Sequence, residues 1–263
     1  MIAQWLSEIG GGSAALLILL VAGHIFGDFL LQTQRMARRK ERGWGAMVTH
    51  IALVFVAHCA VLWPFLSGRL IAGVLGLSIL HLAFDAARAR AFGQWGASLA
   101  AFFTDQSLHL CTVFILWRLL IRWTGGAPEA WSPSVSWLMW YARWSAVAAA
   151  YVFNGKGATR IVRGVLERFP KAVPPETGGT ENEYEMGRTI GNLERYLTLT
   201  LVFFGQWAAL GFIIAAKSIA RFPEFTGQRH KDFAEYYLIG TLTSVLVAVA
   251  SGMIVGLTVL WVQ

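Results

Sequence analysis

Three pairs of an acid and a histidine lie inside apolar stretches of the sequence, and in each pair the two residues are four positions apart: His24 with Asp28, His81 with Asp85, and Asp105 with His109. On a helix this spacing places both side chains on one face, one turn apart, where two ligands can reach the same ion. Imidazole and carboxylate together are the ligand set of zinc, manganese and iron. Because an ionisable group inside a bilayer costs at least about 2.5 kcal/mol, we interpret the pairs as a functional metal site.

The helices that carry these pairs are predicted to span a membrane. Of the 263 residues 56% are hydrophobic and 14% are charged, and the mean hydropathy is +0.53. A spanning helix needs about 20 apolar residues. Stretches of this kind occur at 13–33, 46–66, 70–88, 98–121, 136–153, 189–216 and 236–261. We therefore predict an all-α fold, a polytopic membrane helix bundle with about seven transmembrane helices.

The net charge of +7 is spread over short loops beside these segments, which argues against nucleic acid as a partner. Basic residues favour the cytoplasmic side of a membrane. The loop 35–42, the arginines at 88 and 90, and the stretch 156–188 become cytoplasmic if the amino terminus lies outside and the carboxy terminus inside. A basic group at Lys217, Arg221, Arg229 and Lys231 disagrees with this orientation. The expected location is the bacterial cytoplasmic (inner) membrane.

The composition divides the chain into three parts. Residues 1–153 form an amino-terminal membrane bundle that contains the histidine and aspartate motifs. Residues 154–188 are rich in Pro, Gly and charges and are predicted to be a cytoplasmic linker with an interfacial helix at 159–169. Residues 189–263 supply the carboxy-terminal membrane helices.

The acid and histidine pairs are predicted to share one site. Antiparallel helices alternate in direction, so residues that meet must fall late in one helix and early in the next. The candidates follow this alternation along the first four helices and lie within about 5 to 15 Å of the cytoplasmic boundary at 1.5 Å rise per residue. The predicted metal ligands are His24, Asp28, His50, His81, Asp85, Asp105 and His109. They suffice for one or two ions, zinc first and manganese or iron as alternatives.

Further residues have two interpretations each. His58 lies about 12 Å deeper than His50 by helical rise, and we interpret it as a hydrogen-bonded core residue rather than a ligand. Gln106 either orients a ligand or contacts substrate. Arg35 and Arg38 either hold an anionic headgroup or only set topology. The pairs themselves have an alternative role as intrahelical hydrogen bonds in a metal-free scaffold.

The second half has membrane-embedded charges of its own. Glu194 is expected to pair with Arg195 or Arg188 on the cytoplasmic side. Lys217 and Glu235 are expected near the opposite face. Ion pairing makes such charges tolerable in a membrane, so we interpret them as structural.

Several blocks of sequence resemble a known family. GHIFGDFLLQTQ at 23–34, the TH pair at 49–50, HLAFD at 81–85 and TDQSLH at 104–109 resemble an uncharacterised bacterial integral-membrane family, a domain of unknown function. GRTIGNLERYL, AAKSIARF and EYYLIGTL resemble the carboxy-terminal part of its longer members. The HxxxD pairs are also distantly similar to inner-membrane proteins classed as metal-dependent hydrolases and to the group of zinc phospholipase C and P1 nuclease. That similarity implies metal-ligand roles for His24, Asp28, His81 and Asp85, although the amino-terminal Trp ligand of the phospholipase group is missing.

We therefore expect a membrane-embedded metal-dependent hydrolase that acts on a lipid-borne phosphoester, or on an ester or amide, near the cytoplasmic face. Asp28 or Asp105 is the candidate general base. One alternative is a transporter or channel that passes protons or metal ions through the same groups. A haem-binding electron carrier is disfavoured because each paired histidine has a carboxylate one turn away.

Overall fold

The computed structural model describes residues 11–40, 43–91, 98–124, 134–169, 181–221 and 231–256, and these residues form an all-α bundle. Nine α-helices lie in the described ranges: α1 Gly11–Ile25, α2 Gln34–Lys40, α3 Trp44–Val61, α4 Gly68–Ala91, α5 Leu99–Thr124, α6 Val135–Leu166, α7 Glu181–Phe203, α8 Trp207–Arg221 and α9 Lys231–Val255. A π-helical segment, Phe26–Leu31, extends α1, and a short 3-10 turn, Trp63–Phe65, follows α3. The predicted fold class is confirmed.

Five helical segments in the described ranges are long and apolar enough to cross a membrane: Gly11–Leu31, Trp44–Val61, Gly68–Ala89, Leu99–Trp123 and Ala234–Val255. They correspond to five of the seven predicted spans. Their outward faces carry large apolar side chains, such as Leu75, Ile79 and Ile115, each more than half exposed. Lipid tails form no hydrogen bonds, so apolar surfaces of this kind can face them.

The predicted span at 136–153 is part of α6, which does not reach the apolarity of the other five. This helix contains Arg143 and several Trp and Tyr residues. Its 32 residues extend about 48 Å at 1.5 Å per residue. The stretch 154–166, expected at the start of a linker, is the continuation of this helix, and residues 170–180 lie outside the described residues.

The prediction of one continuous span at 189–216 is wrong. The chain forms α7 and α8 instead, with a break at Phe204–Gln206 in which Gly205 has a φ of +66°. Such a backbone conformation suits glycine because it has no Cβ. Beyond the break Lys217 forms an ion pair with Glu194, so α8 turns back alongside α7. The expected pairing of Glu194 with an arginine, and the placement of Lys217 at the far face, are therefore also wrong.

The described residues divide into two compact units, one extending to Val152 and the other covering 153–257, with α6 running through both. The core of the first unit is built from α1, α3, α4, α5 and the first part of α6. Leu16, Leu19 and Trp117 are fully buried in it. The Trp117 indole N–H donates to the carbonyl of Ser13 at 2.8 Å, so α5 is tied to the start of α1.

Two glycines bring α1 against α3. A Cβ on Gly23 would lie 2.8 Å from Cδ2 of His58, and one on Gly27 would lie 2.9 Å from Cγ2 of Val54. Spacing of small residues by four is typical of close helix packing in membranes. His24 and Asp28 follow these glycines directly, so the close approach places them at the interface of the first two spanning helices. Asp28 belongs to the π-helical segment, a conformation common at functional sites.

Candidate metal centre

The structure brings all seven predicted ligands together inside the first unit. His24 comes from α1, Asp28 from its π-helical extension, His50 from α3, His81 and Asp85 from α4, and Asp105 and His109 from α5. Five of them are at most 3% exposed, and the other two, Asp28 and Asp105, have side chains 9% and 12% exposed. Their ligand atoms form three overlapping groups that can each hold a metal ion: His24, Asp28 and His81; His50, His81 and Asp85; and Asp85, Asp105 and His109.

Three of these ligand atoms form a nearly equilateral triangle. Oδ1 of Asp28 lies 3.4 Å from Nε2 of His50 and 3.3 Å from Nε2 of His81. The two Nε2 atoms are 3.3 Å apart. Ligands held at about 2.0–2.1 Å in a tetrahedral zinc site are separated by about 3.3–3.4 Å. The triangle therefore has the dimensions of three corners of a zinc tetrahedron.

Asp85 lies beside this triangle. Its Oδ2 is 3.6 Å from Nε2 of both His50 and His81. Oδ1 of Asp28 is buried and has no hydrogen-bond partner among the described residues. A buried carboxylate oxygen without a donor is costly, and a cation held by the triangle would satisfy it.

Lys40 reaches into the same site from the short helix α2. Its Nζ donates to Oδ2 of Asp85 at 2.5 Å, and its side chain is only 4% exposed. The ammonium and an ion bound by Asp85 would share one carboxylate oxygen. Lys40 therefore orients Asp85 and places a positive charge at the edge of the centre.

A second set of contacts surrounds Gln106. Its amide NH₂ lies 3.3 Å from Oδ2 of Asp28 and 3.3 Å from Oδ2 of Asp105, so it faces both carboxylates. Its Oε1 is 3.3 Å from Nε2 of His24, which places the proton of that ring on Nε2. In this arrangement His24 is a hydrogen-bond donor, and Gln106 links the two sides of the centre.

His109 has one ring nitrogen that is available to a metal ion. Its Nδ1 donates to the carbonyl of Asp105 at 2.8 Å, so in the neutral ring Nε2 carries the lone pair. This nitrogen is buried and has no hydrogen-bond partner among the described residues. Metal-binding histidines are commonly held by such a bond from the other ring nitrogen. The ring lies close to His81, with centroids 3.9 Å apart.

Arg88 adds a second cation, with Nε 3.4 Å from Oδ1 of Asp105. Three carboxylates, Asp28, Asp85 and Asp105, thus face two cations, Lys40 and Arg88. With neutral imidazoles the cluster keeps an uncompensated negative charge. In a poorly polarisable environment this charge attracts a cation strongly.

His58 is fully buried, and its Nδ1 donates to the carbonyl of Val54 at 2.8 Å. It belongs to none of the three ligand groups, in keeping with its interpretation as a core residue. Arg35 has an exposed position, and the side chain of Arg38 lies outside the described residues.

Sequence reasoning missed the parts that Lys40 and Arg88 take in the centre. Both belong to basic stretches that were interpreted as topology signals. Arg88 is three residues after Asp85, a helical spacing that offered a signal. Lys40 offered none, because its burial depends on how α2 docks onto α3.

An all-α bundle with five spanning segments and a buried histidine and aspartate cluster defines a multi-pass membrane protein with a candidate metal centre. Residues 16–138 match the family described as "Protein of unknown function (DUF3307)". This match covers slightly less than half of the chain and includes every predicted metal ligand. Neither the curated proteins nor the solved structures include a match to the chain.

Proposed function

We propose that this protein is a metal-dependent hydrolase of the bacterial inner membrane that cleaves a lipid-borne phosphoester near the cytoplasmic face. The observation that supports it most is the triangle of Asp28, His50 and His81, whose sides of 3.3 to 3.4 Å match a tetrahedral zinc site. The distant similarity of the HxxxD pairs to zinc phosphoesterases points to the same chemistry.

The ligand set favours zinc, with manganese or iron as alternatives. A first ion would be held by Asp28, His50 and His81, which leave its fourth position open to water. A second ion would use Asp85 and the Nε2 of His109. A bound divalent ion lowers the pKa of a coordinated water and polarises the phosphoryl oxygen.

The remaining groups have roles around that water. Asp105 accepts the proton of the attacking water, because Gln106 and Arg88 hold its carboxylate at the edge of the centre. The Lys40 ammonium and the Arg88 guanidinium stabilise the phosphoryl charge that develops during cleavage. The basic loop that contains Arg35 and Arg38 draws the anionic headgroup towards the centre.

The test is hydrolysis of labelled phospholipids and polyprenyl phosphates by protein in nanodiscs, with zinc or manganese supplied. Wild-type protein should release product from one of these lipids. Asp105→Asn should lower the rate by at least about 100-fold, whereas Glu194→Gln, a carboxylate change in the second unit, should leave it unchanged. Metal-loaded protein that cleaves none of the lipids but moves metal ions into liposomes would replace this proposal with a transporter.

A further inference from the structure

The second unit has a cavity of its own among α7, α8 and α9. The polar part of its lining consists of residues that have no role in the metal centre: Glu194, Arg195, Thr198, Lys217, Thr241 and Ser244. The rest of the wall is apolar, with Ile213, Ile214 and Val245. This cavity is independent of the proposed hydrolase.

Arg195 is a buried cation surrounded by neutral oxygens. The residue is 4% exposed. Its Nε donates to the carbonyl of Asn154 at 2.7 Å and its Nη1 to the hydroxyl of Ser244 at 3.1 Å. Nη2 donates to Thr159 at 2.6 Å and to Asn192 at 2.5 Å. These bonds fix the guanidinium but do not neutralise its charge.

The neighbouring charges compensate one another instead. Lys217 forms its ion pair with Glu194, and both line the cavity. The Arg195 charge is therefore not compensated, and the residues that line the cavity carry a net charge of +1. Burying such a charge without a counter-ion is expensive.

Two hydroxyl groups on residues that line the cavity are available as donors. The hydroxyl of Thr241, a residue 7% exposed, is buried and has no hydrogen-bond partner among the described residues. The Ser244 hydroxyl accepts from Arg195, so its own proton is available for another acceptor. A buried donor without an acceptor is rare in folded proteins.

The cavity is small, with about 10 Å³ open to the centre of a water-sized sphere, so it suits one compact ligand. We propose that it binds a small monovalent anion, chloride, between the Arg195 guanidinium and the hydroxyls of Thr241 and Ser244. A single atomic ion fits so small a space better than a polyatomic oxyanion does. The apolar residues of the wall suit a weakly hydrated halide.

The experiment is a ³⁵Cl NMR line-broadening titration of the full-length protein in phosphatidylcholine nanodiscs, with gluconate as the balancing anion. Wild-type protein should give saturable excess broadening that bromide displaces. Thr241→Val, which removes the unpaired hydroxyl, should raise the half-saturating chloride concentration by about tenfold, since a hydrogen bond to a charge is lost. Thr200→Val is the matched control, because that hydroxyl donates to the carbonyl of Tyr196 instead, and it should titrate like wild type.

Folded wild-type protein without saturable broadening, or equal broadening in wild type and Thr241→Val, would overturn the proposal. Displacement by inorganic phosphate at lower concentration than bromide would assign the site to a free oxyanion. Displacement by added phosphatidylglycerol would assign it to a lipid headgroup. Both of these results would also contradict a halide site, and none of them depends on the metal centre.

Discussion

At the scale of single residues, a histidine can bind a metal ion only through a ring nitrogen that makes no hydrogen bond. His58 and His109 both donate Nδ1 to the carbonyl four residues earlier, at 2.8 Å. Both leave a buried Nε2 without a hydrogen-bond partner among the described residues. Only His109 belongs to one of the three groups of candidate ligands. The two rings have the same local geometry, but only His109 is a candidate ligand, whereas His58 is interpreted as structural.

His109→Ala and His58→Ala are a matched pair of variants. His109→Ala should reduce the metal content of purified protein, because it removes one of the three candidate ligands Asp85, Asp105 and His109. His58→Ala should keep the wild-type metal content and lower thermal stability instead, because it leaves a cavity between α1 and α3. Elemental analysis and thermal unfolding in detergent separate the two effects. Equal metal content in both variants would contradict the assignment of His109.

A second prediction at this scale concerns Lys40 and its effect on metal affinity. Unit charges about 4 Å apart interact by roughly 4 kcal/mol at an effective dielectric constant near 20, so the Lys40 ammonium weakens metal binding at Asp85. Lys40→Met should therefore tighten zinc binding by at least about tenfold in a competition titration with a chelator. If the proposed hydrolysis is right, the same variant should cleave its substrate more slowly, because a positive charge beside the phosphoryl group is lost. Weaker zinc binding in Lys40→Met would show that the lysine instead holds Asp85 in place for the metal.

At the scale of helices, the sequence predicted which helices carry the site better than it predicted where helices begin and end. The i, i+4 pairs, the alternation along the first four helices and the shared depth followed from helix geometry. The break between α7 and α8 did not, because the apolar pattern continues through Phe204 and Trp207 and only Gly205 marks it. The depth of Lys40 also had no local signal, since it results from tertiary docking of α2.

The contact between α1 and α3 is the element on which the triangle depends. Gly27→Ala should lower the free energy of unfolding by about 1–3 kcal/mol, because its Cβ would lie 3.1 Å from the Cα of Val54 and must push α3 away. The shift separates Asp28 from His50, so metal affinity should fall as well. Gly76→Ala is the control, since a Cβ there meets nothing within 4 Å. Thermal unfolding and metal content that are alike in the two variants would contradict this role of Gly27.

At the scale of the molecule, the turn at Gly205 changes the argument about topology. The basic group that begins at Lys217 disagreed with the predicted orientation because 189–216 was assigned a single crossing. The chain turns back instead, and Lys217 lies beside Glu194, so the basic group no longer has to lie on the side opposite to Glu194. The predicted cytoplasmic carboxy terminus rested on a crossing that the chain does not make, and the orientation of the amino-terminal half stays a prediction.

The orientation of the first unit can be tested with two glycines at opposite ends of α3 and the turn that follows it. Gly43 and Gly68 are exposed, and a Cβ on either meets nothing within 4 Å. In a background without Cys59 and Cys111, Gly43→Cys should react with a membrane-impermeant maleimide only in inverted vesicles. Gly68→Cys should react only in right-side-out vesicles. The reverse pattern would place the metal centre near the outer face.

The most direct test of the central claim is the metal content of purified protein. Wild-type protein prepared without chelators and resupplied with metals should contain at least one zinc, manganese or iron ion per chain. The double variant His50→Ala, His81→Ala should lose it, because two corners of the triangle are gone, while His58→Ala retains it. Absence of metal from folded wild-type protein, or equal metal in wild type and the double variant, would contradict a metal centre at these residues.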